Sequence, residues 1–176
     1  LNKIKNKTVF LSSVTDCYNE MEEKYELTKQ ILEQLINSEC FLSISTKSSL
    51  ILRDIELLKQ IKNVTVSMSI NTLDENFKND MDNASSIEKR LSTLRELHNN
   101  GIYTILFMSP IFPYITEWKE IIEKSKDYID EYWFENLNLR GQYKGSIMTY
   151  IKEKYPQYYE KYVDIYNKNN KQYWIK

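Results

Sequence analysis

The chain has 176 residues and a mass of 21.2 kDa, with 24 basic and 25 acidic side chains and a formal charge of −1. That length holds one domain, or one domain plus an extension, and the near-balanced charge supplies no global attraction to nucleic acid. With only 3 Gly, 2 Cys and 1 His, neither a glycine-rich phosphate loop nor a four-ligand Cys/His zinc site can be assembled, and an iron–sulfur cluster held by Cys alone would need at least one more. The two cysteines, Cys17 and Cys40, do not form a secreted disulfide framework. The longest apolar stretch, Ile102 to Tyr114, is broken by Pro110 and Pro113 and is too short to cross a bilayer. No signal-peptide pattern opens the chain, so a reduced, cytoplasmic setting without membrane association is expected. The first residue is Leu rather than Met, which suggests a processed end or a piece of a longer protein.

The segments alternate in type along the chain. Thr8–Val14 is a short β-branched and apolar run bounded by polar residues, and it predicts a buried strand. From Glu20 to Asn37, apolar residues at Met21, Tyr25, Leu27, Ile31, Leu32, Leu35 and Ile36 follow the helical period. Phe41–Thr46 is the next strand, Leu50–Ile61 the next helix, and Val64–Ile70 a third strand in which apolar residues alternate with Ser or Thr. Ser85 or Ser86 caps a helix running to about Asn100, with Ile87, Leu91, Leu94 and Leu97 inward and Gly101 at its end. Ile102–Met108 is a fourth strand, Thr116 to about Lys126 a helix, and Ile129–Leu139 contains a fifth strand. Beyond Gly141 the chain turns to Tyr/Lys/Asn-rich helical segments around Pro156.

This repeated strand–helix alternation predicts right-handed βαβ units and a parallel sheet covered by helices, either an open sheet or a barrel. In both, function sits at the C-terminal ends of the strands. The residues delivered there are Ser12, Ser13, Thr15 and Asp16; Ser45, Thr46, Lys47 and Ser48; Ser67, Ser69 and Asn71; Ser109 and Pro110; and Glu135, Asn136, Asn138 and Arg140. Thr15 and Asp16 either hold an ammonium group or ribose hydroxyl, or close an Asx-type turn or cap before Glu20. Lys47 is a compact cation suited to a carboxylate or phosphate, or else a solvated loop lysine. Ser67 and Ser69 share one strand face and need partners there, a ligand being favoured for Ser69. Glu135 and Arg140 pair with each other or with turn backbone. Cys17 and Cys40 read as small apolar fillers, His98 as a solvated helix residue, and the C-terminal tyrosines as helices packing on a barrel wall rather than a base-stacking surface.

Strung together, these segments resemble a known family. Val14–Thr28 (VTDCYNEMEEKYELT) is similar to the segment after the second strand of radical S-adenosylmethionine enzymes of the spore photoproduct lyase-like group, often labelled DNA repair photolyases. Ile44–Leu58 (ISTKSSLILRDIELL) resembles that group's third-strand segment. Val66–Asp74, the helix with Arg90-Leu91 that ends at Gly101-Ile102, and Ser109–Pro113 (SPIFP) follow in order, so the likeness runs from about Thr8 to Arg140.

The resemblance implies a parallel-stranded partial (β/α) barrel, of the α/β class, over residues 1–140, followed by a helical extension over 141–176 that packs on it. It implies S-adenosylmethionine and a [4Fe–4S] cluster in the full-length protein, reductive cleavage of the cofactor to methionine and a 5′-deoxyadenosyl radical, and hydrogen abstraction from a substrate. By the group's label that substrate is nucleic acid. Carried onto this sequence, Lys47 and Ser69 match positions that hold the methionyl carboxylate and neighbouring polar groups. The Ser12–Thr15 stretch, with Ser13 and Thr15, sits where the methionyl amine is received, and Ser109 and Pro110 border the adenosine. The family's CxxxCxxC is absent from the chain. The strand at Thr8 corresponds to the family's second, so the chain reads as the later part of such a barrel, without cluster ligands and inactive by itself. The alternative is a degenerate barrel serving as a binding or interaction module. Further departures are Cys17 in place of a Pro, Asp82-Asn83 near a Glu-Pro, and Tyr114 near a Gly. An unpaired edge at Thr8–Val14 would favour self-association.

Overall fold

The fold is described from a computed structural model covering residues 2–12 and 14–175. Five strands form one sheet: β1 (Thr8–Leu11), β2 (Phe41–Thr46), β3 (Val64–Ser69), β4 (Tyr103–Ile111) and β5 (Glu131–Asn136). They lie in the order β1-β2-β3-β4-β5, and every neighbouring pair is parallel. Parallel neighbours need crossovers, and crossovers are right-handed. Because each one here steps to the next strand in the same direction, the helices gather on one face and the other face stays open, which is the topology of a partial (β/α) barrel.

The alternation of side chains sorts the two faces. Leu42 and Ile44 of β2, Val66 and Met68 of β3, and Leu106 and Met108 of β4 are buried in the main core with Leu32, Leu35, Leu58, Ile61, Leu94, Leu97 and Ile121 from the helical layer. Each such aliphatic side chain contributes about 1.5–3 kcal/mol of transfer free energy. Residues of the opposite parity form the open face. Register places Ser43 beside Thr65, Ser45 beside Ser67, and Ser69 beside Phe107, which neighbours Trp133. Small hydroxyls therefore floor the middle of this face, and the Phe107 and Trp133 rings meet edge-on at 6.0 Å on one side.

The helical layer consists of α1 (Glu22–Tyr25), α2 (Leu27–Leu35), α3 (Ile55–Leu58), α4 (Glu75–Met81), α5 (Ile87–Asn99) and α6 (Trp118–Ser125). Several elements differ from the sequence reading for local reasons. β1 stops at Leu11 because Ser12 takes a φ of 75°, outside the extended region. The helix expected from Glu20 to Asn37 is broken at Glu26, also at positive φ (50°). Residues Ser49–Asp54 wind as a 3₁₀ segment before α3. α4 was not expected: Asp74 Oδ1 accepts from the amides of Asn76 and Phe77 and caps it. β4 runs on to Ile111 through a register irregularity after Met108, which accommodates Pro110, a residue with no ladder N–H. α5 starts at the Ser86 cap and closes at Gly101 (φ 78°), where Gly101 N donates to His98 O and Ile102 N to Leu97 O, a Schellman ending.

Beyond β5, α7 (Gly141–Lys154), α8 (Pro156–Tyr166) and α9 (Gln172–Ile175) follow. Ile147, Met148, Ile151 and Tyr162 form a second core with Phe77, Phe112, Ile115, Leu137 and Leu139. Tyr162 Oη donates to Pro113 O at 3.0 Å and Tyr166 Oη to Leu137 O at 3.0 Å, so the tyrosines bury their rings and satisfy their hydroxyls on the loops after β4 and β5. Among the described residues no helix is long and apolar enough to cross a membrane.

A buried ion network locks the first loop to the layer. Arg53 forms two parallel bonds to Asp54 (2.8 Å each) and a third to Glu22 Oε1 (2.7 Å). Glu22 also accepts from the amides of Thr28 and Lys29, capping α2 from six residues away. Burial would raise the Glu22 pKa, but the Thr28 amide and the Arg53 guanidinium outweigh it and hold the carboxyl below its ordinary range. A depressed folded pKa stabilises the fold above the unfolded value, near 4.5, and that contribution is lost as pH falls through the folded value. Removing the cation leaves two buried carboxylates uncompensated, so Arg53→Met should cost about 3–5 kcal/mol in chemical denaturation. An unchanged unfolding midpoint would show that the network is not a structural anchor.

Candidate functional site

The C-terminal edge of the sheet carries two linked polar nodes. The first is Asp16, in the loop after β1. Its Oδ1 accepts from Tyr18 N (2.9 Å) and Thr46 Oγ1 (2.7 Å), and its Oδ2 accepts from Lys47 N (2.7 Å). One carboxylate therefore forms an Asx-type turn within its own loop and staples that loop to the end of β2. The Ser12 hydroxyl supports the same loop by accepting from Cys17 N at 2.7 Å. Thr15 is exposed beside this node, and Ser13 lies outside the described residues.

The second node is built on Arg90, which is 2% exposed. Its Nε donates to Ser85 O (2.7 Å), Nη1 to Ser69 O (3.0 Å) and Nη2 to Asp82 Oδ1 (2.5 Å). A helix residue thus grips the last carbonyl of β3, the loop before α5, and a carboxylate. Asp82 Oδ1 also accepts from Ala84 N (3.1 Å), while Oδ2 accepts from Lys47 Nζ (3.2 Å). Lys78, 6% exposed, donates to Ala84 O and lies 3.7 Å from Asp82. Burial pushes the Asp82 pKa up, but the hydrogen bond and charge of Arg90, joined by Lys47, outweigh it and keep the carboxyl ionised below its usual range. Three cations, Lys47, Lys78 and Arg90, meet the Asp82 carboxylate here, and the Asp16 carboxylate faces Lys47 from the other side of β2.

Ser69 Oγ donates to Ser109 O (3.0 Å) and Asn71 Nδ2 to Pro110 O (2.9 Å), which joins the ends of β3 and β4. Ser109 Oγ in turn bonds Glu135 Oε2. Lys47, Ser69 and Ser109 therefore all stand along this edge, linked to neighbouring strands. Glu135 bonds Ser109, whereas Arg140 Nε bonds Asn138 Oδ1 at 3.1 Å. Cys40 is buried at the start of β2 against Ser38, and His98 faces Asp130 across 3.4 Å at the entrance to β4 and β5. Cys17, at the other end of the sheet from Cys40, is half-buried, and burial pushes its thiol pKa up. Among the described residues no three His, Cys, Asp or Glu side chains come together as a metal site.

Sequence reasoning singled out neither Asp82 nor Arg90 as part of this edge. The usable signal was positional: Arg90 falls three residues after Ile87 and four before Leu94, on the buried stripe of its own helix. An Arg in such a place must be fully paired.

A parallel sheet in sequential order, helices on one face and a polar edge at the strand ends define a partial (β/α) barrel, a fold in which ligand sites generally lie at the C-terminal ends of the strands. The chain belongs to the radical SAM superfamily, whose sequence model it matches over residues 1–128. An uncharacterized protein of Methanocaldococcus jannaschii is 38% identical over 162 residues, covering 89% of this chain and 61% of that protein. An uncharacterized protein of Acidianus two-tailed virus is 31% identical over 160 residues (85% and 52%), and one of Mycobacterium tuberculosis 25% over 173 residues (93% and 51%). The chain thus spans between half and three-fifths of these relatives' lengths. Among solved structures, spore photoproduct lyase complexed with dinucleoside spore photoproduct superposes with a TM-score of 0.61 at 14% identity, covering 87% of this chain and 46% of that one. A mutant of the same enzyme with bound AdoMet and dinucleoside spore photoproduct gives 0.58 at 16% identity, with the same coverage. At that identity the likeness is one of fold.

The Asp16 node carries a direct test. Asp16→Ala removes three accepted bonds and should cost about 1–3 kcal/mol, with hydrogen exchange at the Lys47 amide accelerating more than that of the sheet interior. A Lys47 amide that stays as protected as in the unaltered chain would show that the staple does not exist in solution.

Proposed function

We propose that this chain forms the S-adenosylmethionine-binding part of a radical SAM enzyme, with the cofactor's methionyl carboxylate held by Lys47. The observation that carries this reading is the Lys47 ammonium itself. It stands at the end of β2, 39% exposed, with Asp82 as its side-chain hydrogen-bond partner. An ammonium has three N–H donors, so two remain for a ligand, and a carboxylate is the group that matches them. Thr15, Ser69 and Ser109, along the same edge, supply hydroxyls and carbonyls suited to the ligand's amine and ribose, and Ser13 belongs to the same loop by sequence.

The [4Fe–4S] cluster that family membership implies for full-length relatives does not fit this chain's own side chains. Cys17 and Cys40 sit at opposite ends of the sheet and cannot ligate one cluster together. In this reading the cluster ligands lie elsewhere in the full-length protein, and this chain binds and orients the cofactor at the mouth while the hydroxyl-floored open face receives the substrate. The chemistry such cofactors supply is hydrogen abstraction by a carbon-centred radical. Residues 1–140 act as the barrel and 141–176 as a helical brace for the loops after β4 and β5.

The outer edge of β1 has no neighbouring strand among the described residues. Its backbone groups are free to pair, and with Phe10 exposed beside them a second copy of the chain can add there. Sedimentation of the isolated chain should show concentration-dependent association, and a monomer at all concentrations would refute edge pairing.

For the cofactor, titration calorimetry with S-adenosylmethionine should show saturable binding that Lys47→Ala weakens about tenfold or more, as expected for loss of a charge-assisted bond. Equal affinity in the two proteins would remove Lys47 from the site.

A further inference from the structure

We propose that Asp82 is a positioning residue that aims the Lys47 ammonium at the ligand carboxylate, an inference that rests on the cofactor reading above. The two oxygens of Asp82 are divided between separate tasks. Oδ1 accepts from Arg90 Nη2 and Ala84 N, so it is fixed by a buried guanidinium and by the backbone of its own loop. Oδ2 is directed at Lys47 Nζ. Arg90 is held in turn, because its Nε and Nη1 donate to the carbonyls of Ser85 and Ser69.

A lysine head on a four-carbon stem has many rotamers, and ordering it on binding costs conformational entropy. Here the backbone end is fixed by the Asp16 bond to Lys47 N, and the ammonium end by Asp82. Both ends of the side chain are thus set before any ligand arrives, and one N–H is spent on Asp82 while two stay available. Pre-ordering lowers the entropy that binding must supply.

Asp82 also carries a negative charge beside a site for a negative ligand. If it acted only as a counter-ion, its removal would strengthen binding. If it orients Lys47, its removal weakens binding, and only while Lys47 is present. Asp82→Asn separates the two, since the amide oxygen still accepts from Arg90 and Ala84 while the amide nitrogen turns a donor towards Lys47.

Calorimetry with S-adenosylmethionine on four proteins (unaltered, Lys47→Ala, Asp82→Asn and the double variant) forms a double-mutant cycle. The expected result is a rise in Kd of about fivefold for Asp82→Asn when Lys47 is intact and no further change when it is added to Lys47→Ala. Unchanged or tighter binding by Asp82→Asn, or the same loss in both backgrounds, overturns the positioning role. An unchanged Kd for Lys47→Ala overturns the cofactor reading itself, so the two failures are told apart. Should Asp82→Asn not fold, nitrogen-15 NMR of the Lys47 ammonium in the unaltered chain decides. Slow hydrogen exchange in the free and ligand-bound states supports positioning, and free exchange with solvent in the unliganded chain contradicts it.

Discussion

A fully buried guanidinium, Arg90, is the constraint on which the mouth of this barrel depends. Taking an arginine out of water costs several kcal/mol unless each donor face finds an acceptor in good geometry. Arg90 meets that demand with acceptors from three different segments: the last residue of β3, the turn before α5, and Asp82. None can shift without stranding a buried charge, so the pairing that satisfies Arg90 also fixes the shape of the loop between β3 and α5. Asp82 passes that order on to Lys47, and Asp16 closes the circuit from the other side of β2.

The sheet topology explains why the polar residues gather at one edge. Sequential parallel order puts the crossover helices on one face, so the aliphatic residues of β2, β3 and β4 are buried beneath them, while Ser, Thr and a few aromatics occupy much of the other face. Parallel strands also end together. Their C-terminal loops, carrying Asp16, Lys47, Asp82 and Ser109, meet at one rim, while residues of different chemistry, Cys40 and His98, are carried to the opposite one. The tyrosine-rich helices hold this rim from outside: Tyr150 Oη donates to Asp80 at 2.8 Å in the last turn of α4, two residues before Asp82, and Tyr162 and Tyr166 hold the loops after β4 and β5.

Much of this was legible in the sequence, and the rest was hidden for physical reasons. β2 is found at Phe41–Thr46 because a short apolar alternation between polar boundaries has one reading. α5 begins at Ser86 and ends before Gly101 because cap and C′ chemistry are local. α4 escaped notice since its ENFKNDM sequence buries little beyond Phe77 and the stem of Lys78, and its stability comes from the Asp74 cap and from α7 and α8. The break at Glu26 is likewise tertiary: a long α1–α2 helix would move Glu22 away from the Thr28 amide and Arg53. Residue types at the mouth could be read from strand ends, but the Arg90–Asp82–Lys47 chain could not, because it joins residues 43 positions apart in sequence.

The central claim is that Lys47, ordered from both ends, receives the carboxylate of S-adenosylmethionine at the mouth of the barrel. The most direct measurement is a crystal structure of the chain with S-adenosylmethionine bound. The account predicts the methionyl carboxylate within hydrogen-bond distance of Lys47 Nζ, with Asp82 still bonded to Arg90 and to the same ammonium. A cofactor placed away from the ends of β2 and β3, or a carboxylate with no contact to Lys47, would contradict it.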